Sequence, residues 1–336
     1  MPISRFKKSI LFFLAQVTAF CFFTPHAIAT DMKPLPKTDA PLSMEQVEKL
    51  FPIGRIYTKE SVYNNIYIKR DAKSLTMGFA LRGEKYGQCQ KRLGKPLYLA
   101  EPYTRMMTLA TAYAEKAESV LDLGLGCGAT SGYIKNHMPD IMVDAVEIDP
   151  AVVDIAVNYF GAKPGPGYAV HEADARVFLT RNKGPWDVIF VDAYRGHHIP
   201  FHLMTQEFYR LVASRLAPGG AAAFNLVKFN NSHLFAATFA TLRSVFQYVG
   251  LYGTSTTLQH HPHVAIATNA PVGKATLLKR AKHLQARYGF LHSVPKLLKN
   301  REVDIGSVVG DGPTPILTDD FAPVNILKLR KVKDRK

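Results

Sequence analysis

Between residues 119 and 225 the chain alternates short, nearly unbroken apolar runs with stretches of helical spacing. The runs fall at 119–123, 142–146, 168–170, 188–191 and 221–225, and helical spacing fills 130–137, 150–159, 175–181 and 201–216. Strands that are apolar on both faces and separated by helices build a parallel sheet covered on two sides. The expected fold class is therefore α/β, a doubly wound Rossmann-like sheet of the class I methyltransferase type with a small N-terminal β-layer. One more helix is expected over 230–246, and strands near 247–252 and 264–268 close the sheet. Upstream the period changes to two. Val62, Ile66 and Ile68, then Leu75, Met77, Phe79 and Leu81, alternate with polar or small neighbours and read as antiparallel strands. Residues 103–116 have helical spacing through Met106, Leu109, Ala110 and Tyr113. Leu277, Leu278, Ala281, Leu284 and Tyr288 mark a last amphipathic helix, with Lys279, Arg280, Lys282 and Arg287 mostly outward.

The N-terminus reads as an export leader rather than as part of this fold. Arg5, Lys7 and Lys8 precede an apolar run at 10–23 that is short for a bilayer span, and Ala27-Ile28-Ala29 supplies a small-x-small cleavage site. Cleavage after Ala29 is expected; the alternative is an uncleaved anchor, and either way the body is exported, periplasmic or secreted. The expected organisation is a signal peptide at 1–29, a linker at 30–50 with Pro34, Pro36 and Pro41, a β-rich domain at 51–101, the Rossmann-like nucleoside-binding domain at 102–270, and a helical extension with a basic tail at 271–336.

Composition is globular, with 47% apolar and 21% charged residues. The net charge of +15 becomes +12 once the leader's three basic residues are removed. That charge suits an anionic surface or substrate, and peripheral contact with an anionic membrane is one such expectation. No zinc-finger spacing and no interleaved basic and aromatic face is present, so no nucleic-acid partner is expected. Cys21 leaves with the leader; Cys89 and Cys127 remain and are expected as mostly buried free thiols, the alternative being that they pair in an oxidising compartment, since the sequence does not supply their distance.

The chemistry concentrates at strand ends. The first α/β strand runs into Asp122-Leu-Gly124-Leu-Gly126-Cys127-Gly128, glycines that allow a sharp turn and close approach to a ligand before a helix. The second ends in Glu147-Ile-Asp149-Pro150, where an ionised carboxylate accepts both hydroxyls of a ribose. Asp174-Ala175 follows the third strand and Asp192-Ala193 the fourth. Acids at the carboxyl ends of successive parallel strands border one crevice. Asp122 argues against a pyrophosphate over the turn and for a cationic ligand, such as the sulfonium and amine of S-adenosylmethionine. The competing reading is that these acids only cap helices.

On these residues the chain resembles the S-adenosylmethionine-dependent methyltransferase fold and, more closely, the spermidine synthases (polyamine aminopropyltransferases). Glu60-Ser61-Val62-Tyr63-Asn64-Asn65-Ile66 is similar to that family's Glu-Ser-x-Tyr-Gln-x-Ile segment, and Asp122–Gly128, Glu147–Asp149, Asp174-Ala175 and 186–192 follow in the family's order. Residues 317–324, with Asp319 and Asp320, resemble a segment of spermidine-synthase-like bacterial proteins. The resemblance implies that Glu147 binds ribose, Asp174 adenine, and the Gly124–Gly128 loop the methionine-derived tail of S-adenosylmethionine or its decarboxylated form as co-substrate. It makes Asp192 the acid that orients or deprotonates an attacking amine. Tyr63 and Tyr194 are candidates to hydrogen-bond or shield the sulfonium face, and equally candidates for plain core or rim packing.

The departures concern the acceptor. Arg195 stands where the family has a second acid, Tyr103-Thr104-Arg105 replaces Tyr-His-Glu, Cys127 replaces the loop Asp, and Asn64 replaces Gln. A polyamine pocket needs anions to replace the lost hydration of each ammonium, whereas guanidinium groups suit anions. The expected small-molecule acceptor is therefore not an ordinary diamine, and an anionic one fits. The competing reading turns Arg105 and Arg195 outward, with Asp319 and Asp320 supplying the missing charge. Two other activities fit the same residues: a methyltransferase on a non-polyamine acceptor, and a non-catalytic nucleoside binder. His197, His198, His202, His260, His261 and His263 lack a completing carboxylate or cysteine at short spacing, so no metal is expected and they read as solvated loop histidines. A homodimer is the default for a soluble homo-oligomer.

Overall fold

The computed structural model describes residues 51–324 and 327, apart from 82–83, 96, 195–198, 227–232, 254–262 and 301–313. The expected leader, the linker and the basic tail lie outside the described residues.

Four antiparallel strands form the N-terminal sheet in sequential order: β1 (Gly54–Glu60), β2 (Asn65–Arg70), β3 (Ser74–Leu81) and β4 (Glu84–Arg92). Period-two patterning is visible in β2 and β3, whose Ile66, Ile68, Leu75 and Met77 are fully or almost fully buried. Strands β1 and β4 were not expected from the pattern. The polar residues of β4, with Lys85, Gln88, Gln90 and Lys91, carry no alternation that would announce it.

The main sheet has seven strands in the order β10-β11-β9-β8-β5-β6-β7. These are β5 (Ser119–Leu123), β6 (Met142–Glu147), β7 (Tyr168–Glu172), β8 (Trp186–Val191), β9 (Leu216–Leu226), β10 (Tyr248–Gly253) and β11 (His263–Thr268). The first five pair in parallel, and β10 and β11 are antiparallel. Alternation within the continuous apolar strands sorts side chains to two cores. Val120, Val188, Phe190, Ala221 and Ala223 face one layer, and Leu121, Ile189, Val191, Ala222 and Phe224 face the other.

The first layer holds α1 (Pro102–Met107), α2 (Ala110–Tyr113), α3 (Ala129–His137), α8 (Lys274–Tyr288) and α9 (Val294–Asn300). The second holds α5 (Ala175–Arg181), α6 (Gln206–Arg215) and α7 (His233–Arg243). Helix α4 (Pro150–Ile155) and the wider turn Ala156–Phe160 pack instead on the N-terminal sheet, with Val152, Ile155 and Phe160 against Ile66, Ile68 and Met77.

Three expectations need correction. The helix expected over 103–116 is two short helices, because Thr108 turns its hydroxyl to the Arg105 carbonyl (2.7 Å) and to His292 (2.9 Å). His263 is no loop histidine: it is buried at the start of β11, paired with Leu226 and Gly253, its ring edge-on to Phe235. Cys89 and Cys127 are not free thiols but form a disulfide, with Cα atoms 6.2 Å apart and a sequence separation of 38. Docking of the N-terminal sheet on α4 brings β4 beside the glycine loop, a proximity created by packing and invisible in the spacing. Among the described residues no helix is long and apolar enough to cross a membrane.

Candidate active site

The strand order reverses between β5 and β8, and the crevice beyond their carboxyl ends is where an open α/β sheet takes its ligand. The loop after β5 is built for close approach. Gly124 has φ +110°, and a Cβ there would fall on the Asp192 carbonyl and come within 2.6 Å of its carbon. Gly128 (φ +68°) caps α3, and its Cβ would meet the Ala162 methyl at 2.8 Å. Both positions exclude side chains for steric as well as conformational reasons.

Around this loop the acids take distinct roles. Asp122 is 2% exposed and lies beside Ser131, whose side chain and backbone favour its ionised form. Burial raises its pKa from 3.8 to about 8, and the nearby charges of Asp192 and Glu147 add to the rise. Glu147, at the end of β6, accepts from the Gly126 amide at 3.1 Å and the Asp149 amide at 3.2 Å. It keeps some exposure on the crevice, yet its walled-in position raises its pKa from 4.5 to about 7. Asp192 follows β8 and is gripped on both sides: Tyr103 Oη donates to Oδ2 at 3.0 Å, and Asn225 Nδ2 to Oδ1 at 2.8 Å. Desolvation lifts Asp192 to about 6 and holds the Tyr103 hydroxyl well above its ordinary value, so that it stays a donor.

Asp174 follows β7, the edge strand beside β6. Its Oδ1 caps α5 through the amides of Arg176 and Val177 (both 2.9 Å), with Ala175 buried as the first helical residue. Its Oδ2 faces His202 Nε2 at 3.1 Å, and that hydrogen bond is the main cause of its lowered pKa. His202 lies in the short turn Phe201–Leu203 and is therefore no free loop histidine.

Several of the expected site residues are engaged by partners within the protein. Asp149 is fully buried: Oδ1 caps α4 through Ala151, while Oδ2 accepts from Ser61 Oγ (2.6 Å) and Asn64 Nδ2 (3.0 Å). It therefore latches the β1–β2 turn, with half-exposed Tyr63 at its tip, onto the start of α4. Arg105 is held by its own neighbouring segment. Its Nε donates to the Leu99 carbonyl at 2.8 Å, and its guanidinium reaches Tyr98 Oη at 2.7 Å and stacks on that ring. Tyr194 gives its hydroxyl to the Asn225 carbonyl. Asp319 accepts a bidentate bond from Arg176 (2.7 and 2.5 Å), while Asp320 is exposed. Arg195, His197, His198, His260 and His261 lie outside the described residues. No group of three or more His, Cys, Asp or Glu able to hold a metal occurs among the described residues.

Tyr103, Asn225, His202 and Ser61 are the site residues that sequence reasoning missed. Asn225 alone had a positional signal, a polar residue closing the apolar run of β9 at the same edge as the acids. Tyr103 carried its signal only as the surviving first member of a departed Tyr-x-x motif.

No protein-family model matches the chain. A polyamine aminopropyltransferase of Vibrio vulnificus (strain CMCP6) is 31% identical over 288 residues, spanning 83% of this chain and 94% of its own length. A human eEF1A lysine and N-terminal methyltransferase is 28% identical over 208 residues, spanning 54% of this chain and 30% of its own length. The crystal structure of a probable spermidine synthase from Corynebacterium glutamicum superposes with a TM-score of 0.59 at 19% identity, covering 79% of this chain and 100% of that one, a likeness of fold. With the identity to the Vibrio enzyme extending over most of both chains, this protein belongs to the polyamine aminopropyltransferase family of transferases.

Proposed function

We propose that this protein transfers an aminopropyl group from decarboxylated S-adenosylmethionine to an amine acceptor. The observation that carries the reading is Asp192, held between Tyr103 and Asn225, with its backbone carbonyl against Gly124 of the loop whose Gly126 amide bonds Glu147. A sulfonium is already a good leaving group, so the protein's task is to position the amine and remove a proton. The amine lone pair forms the new C–N bond as the C–S bond breaks, its electrons passing to sulfur to give the neutral thioether. The surplus proton on nitrogen passes to the Asp192 carboxylate. Glu147 holds the ribose, Asp174 the adenine edge, and Tyr63 covers the sulfonium from the latched turn.

The acceptor is an amine without the second ammonium of a diamine. Of the positions where the family resemblance expects acids, Cys127 is in a disulfide and Arg105 is bonded to local carbonyls, while Asp319 neutralises Arg176. Among the described residues the carboxylates that remain beside Tyr103 are Asp192 and Glu101, fewer than the resemblance expects, and each uncompensated buried ammonium is costly.

Calorimetric titration with the decarboxylated form, S-adenosylmethionine and methylthioadenosine, followed by mass spectrometry of amine mixtures, tests this. The expected result is tight binding of the decarboxylated form and release of methylthioadenosine with a monoamine. Robust turnover of putrescine would remove the acceptor assignment. A second reading, methyl transfer, is favoured by the human methyltransferase relative and predicts preference for S-adenosylmethionine itself. Binding without turnover on any acceptor would leave a nucleoside-binding protein.

A further inference from the structure

Between Glu207 and Glu302 the sequence contains twelve Lys or Arg and no Asp or Glu. In the structure this imbalance surfaces on the helical hairpin α8–α9. Leu277, Ala281 and Leu284 of α8 are buried, and Lys279, Lys282, His283 and Arg287 share the exposed face of that helix. Lys296 and Lys299 are exposed one turn apart on α9. Among the described residues none of these five Lys and Arg side chains forms an ion pair with a carboxylate. At the joint between the helices Leu291 is 60% exposed.

The hairpin is also rigidly mounted. Phe290 and Val294 enter the core beside Tyr133, Tyr133 Oη accepts from the Leu291 amide at 2.7 Å, His292 bonds Thr108, and Arg280 reaches the Tyr113 carbonyl at 2.9 Å. The cations are thus presented on a fixed platform around an apolar tip. Single-stranded nucleic acid would require aromatic rings interleaved with these bases, and the exposed face of α8 carries none. A protein partner of comparable size would require an apolar interface core, where this surface has only Leu291. Delocalised positive charge beside one apolar tip matches the headgroup region of an anionic bilayer.

We propose that the α8–α9 hairpin is a docking face for an anionic phospholipid bilayer. The test is sedimentation of the full chain with vesicles of phosphatidylglycerol and phosphatidylcholine, against phosphatidylcholine alone. The wild type is compared with a variant carrying Lys279→Glu, Lys282→Glu, Lys296→Glu and Lys299→Glu. Each surface cation contributes about fivefold to partitioning, so the variant is expected to bind anionic vesicles at least ~100-fold more weakly. Wild-type binding is expected to fall steeply between about 0.05 and 0.5 M salt and to be absent on neutral vesicles. Melting temperature and nucleoside binding report whether the variant is folded; if it is not, the corresponding Lys→Gln variant replaces it. Equal binding of variant and wild type, or binding that survives salt and neutral lipid, would assign the contact to the leader or tail and overturn the proposal. So would tighter, charge-dependent binding to duplex DNA than to vesicles.

Discussion

Asp192 shows how neighbours tune a single carboxylate. Desolvation raises its pKa to about 6, whereas Asn225 and Tyr103 favour its ionised form. It is therefore ionised at neutral pH and takes up a proton as pH falls through about 6, which in the proposed reaction would remove the base. The expected kcat/KM profile has an acid limb near pH 6, and Asp192→Asn lowers kcat by roughly 10²–10⁴-fold with little loss of nucleoside affinity. A limb at the same pH in Asp192→Asn would assign that titration to another group. Residue by residue, the sequence exposed the acids because their type and strand-end position are local facts. It did not expose their partners: Tyr103 lies 89 residues and Asn225 33 residues from Asp192.

Among the elements, the β1–β2 turn depends on a contact made far away in sequence. Ser61 and Asn64 grip Asp149 Oδ2, so the cap of α4 and the turn carrying Tyr63 share one buried carboxylate. Ser61→Ala combined with Asn64→Ala is expected to leave that carboxylate under-bonded, costing about 1–3 kcal/mol in denaturant unfolding. If Tyr63 covers the reacting centre, kcat falls more than stability explains, because the turn no longer holds it; unchanged kcat would reduce Tyr63 to a surface residue. The motif from Glu60 to Ile66 was readable as a segment. Its function as a latch was not, since only docking of the N-terminal sheet brings it to Asp149.

Across the whole molecule, buried acids make stability depend on pH in an unusual direction. Asp122, Glu147 and Asp192 have native pKa values of about 8, 7 and 6 against ordinary values of 3.8, 4.5 and 3.8. Between those limits the native state holds protons that the unfolded chain has released. Their contribution is complete below about pH 4 and is lost as pH rises through about 6 to 8. Asp174 and Asp319, with lowered values, act oppositely and lose their contribution as pH falls. Asp122→Asn keeps the contact to Ser131 while removing one titration. Urea midpoints at pH 5 and 8 are expected to differ less in this variant than in the wild type. Equal differences would mean that Asp122 does not titrate in this window.

The alternation of apolar runs with helical stretches determined by itself the doubly wound sheet, the glycine loop and the acids at its edge. Hydrophobic period and strand-end position are written in neighbouring residues, and burial of both sheet faces leaves few alternatives. Tertiary structure alone decided which side chains meet. It joined Cys89 to Cys127, turned Arg105 onto the Leu99 carbonyl and Asp319 onto Arg176, and set Tyr103 and Asn225 on either side of Asp192. Such contacts depend on the docking of whole layers, and a hydrogen bond reaches only about 3 Å, so no local pattern encodes them.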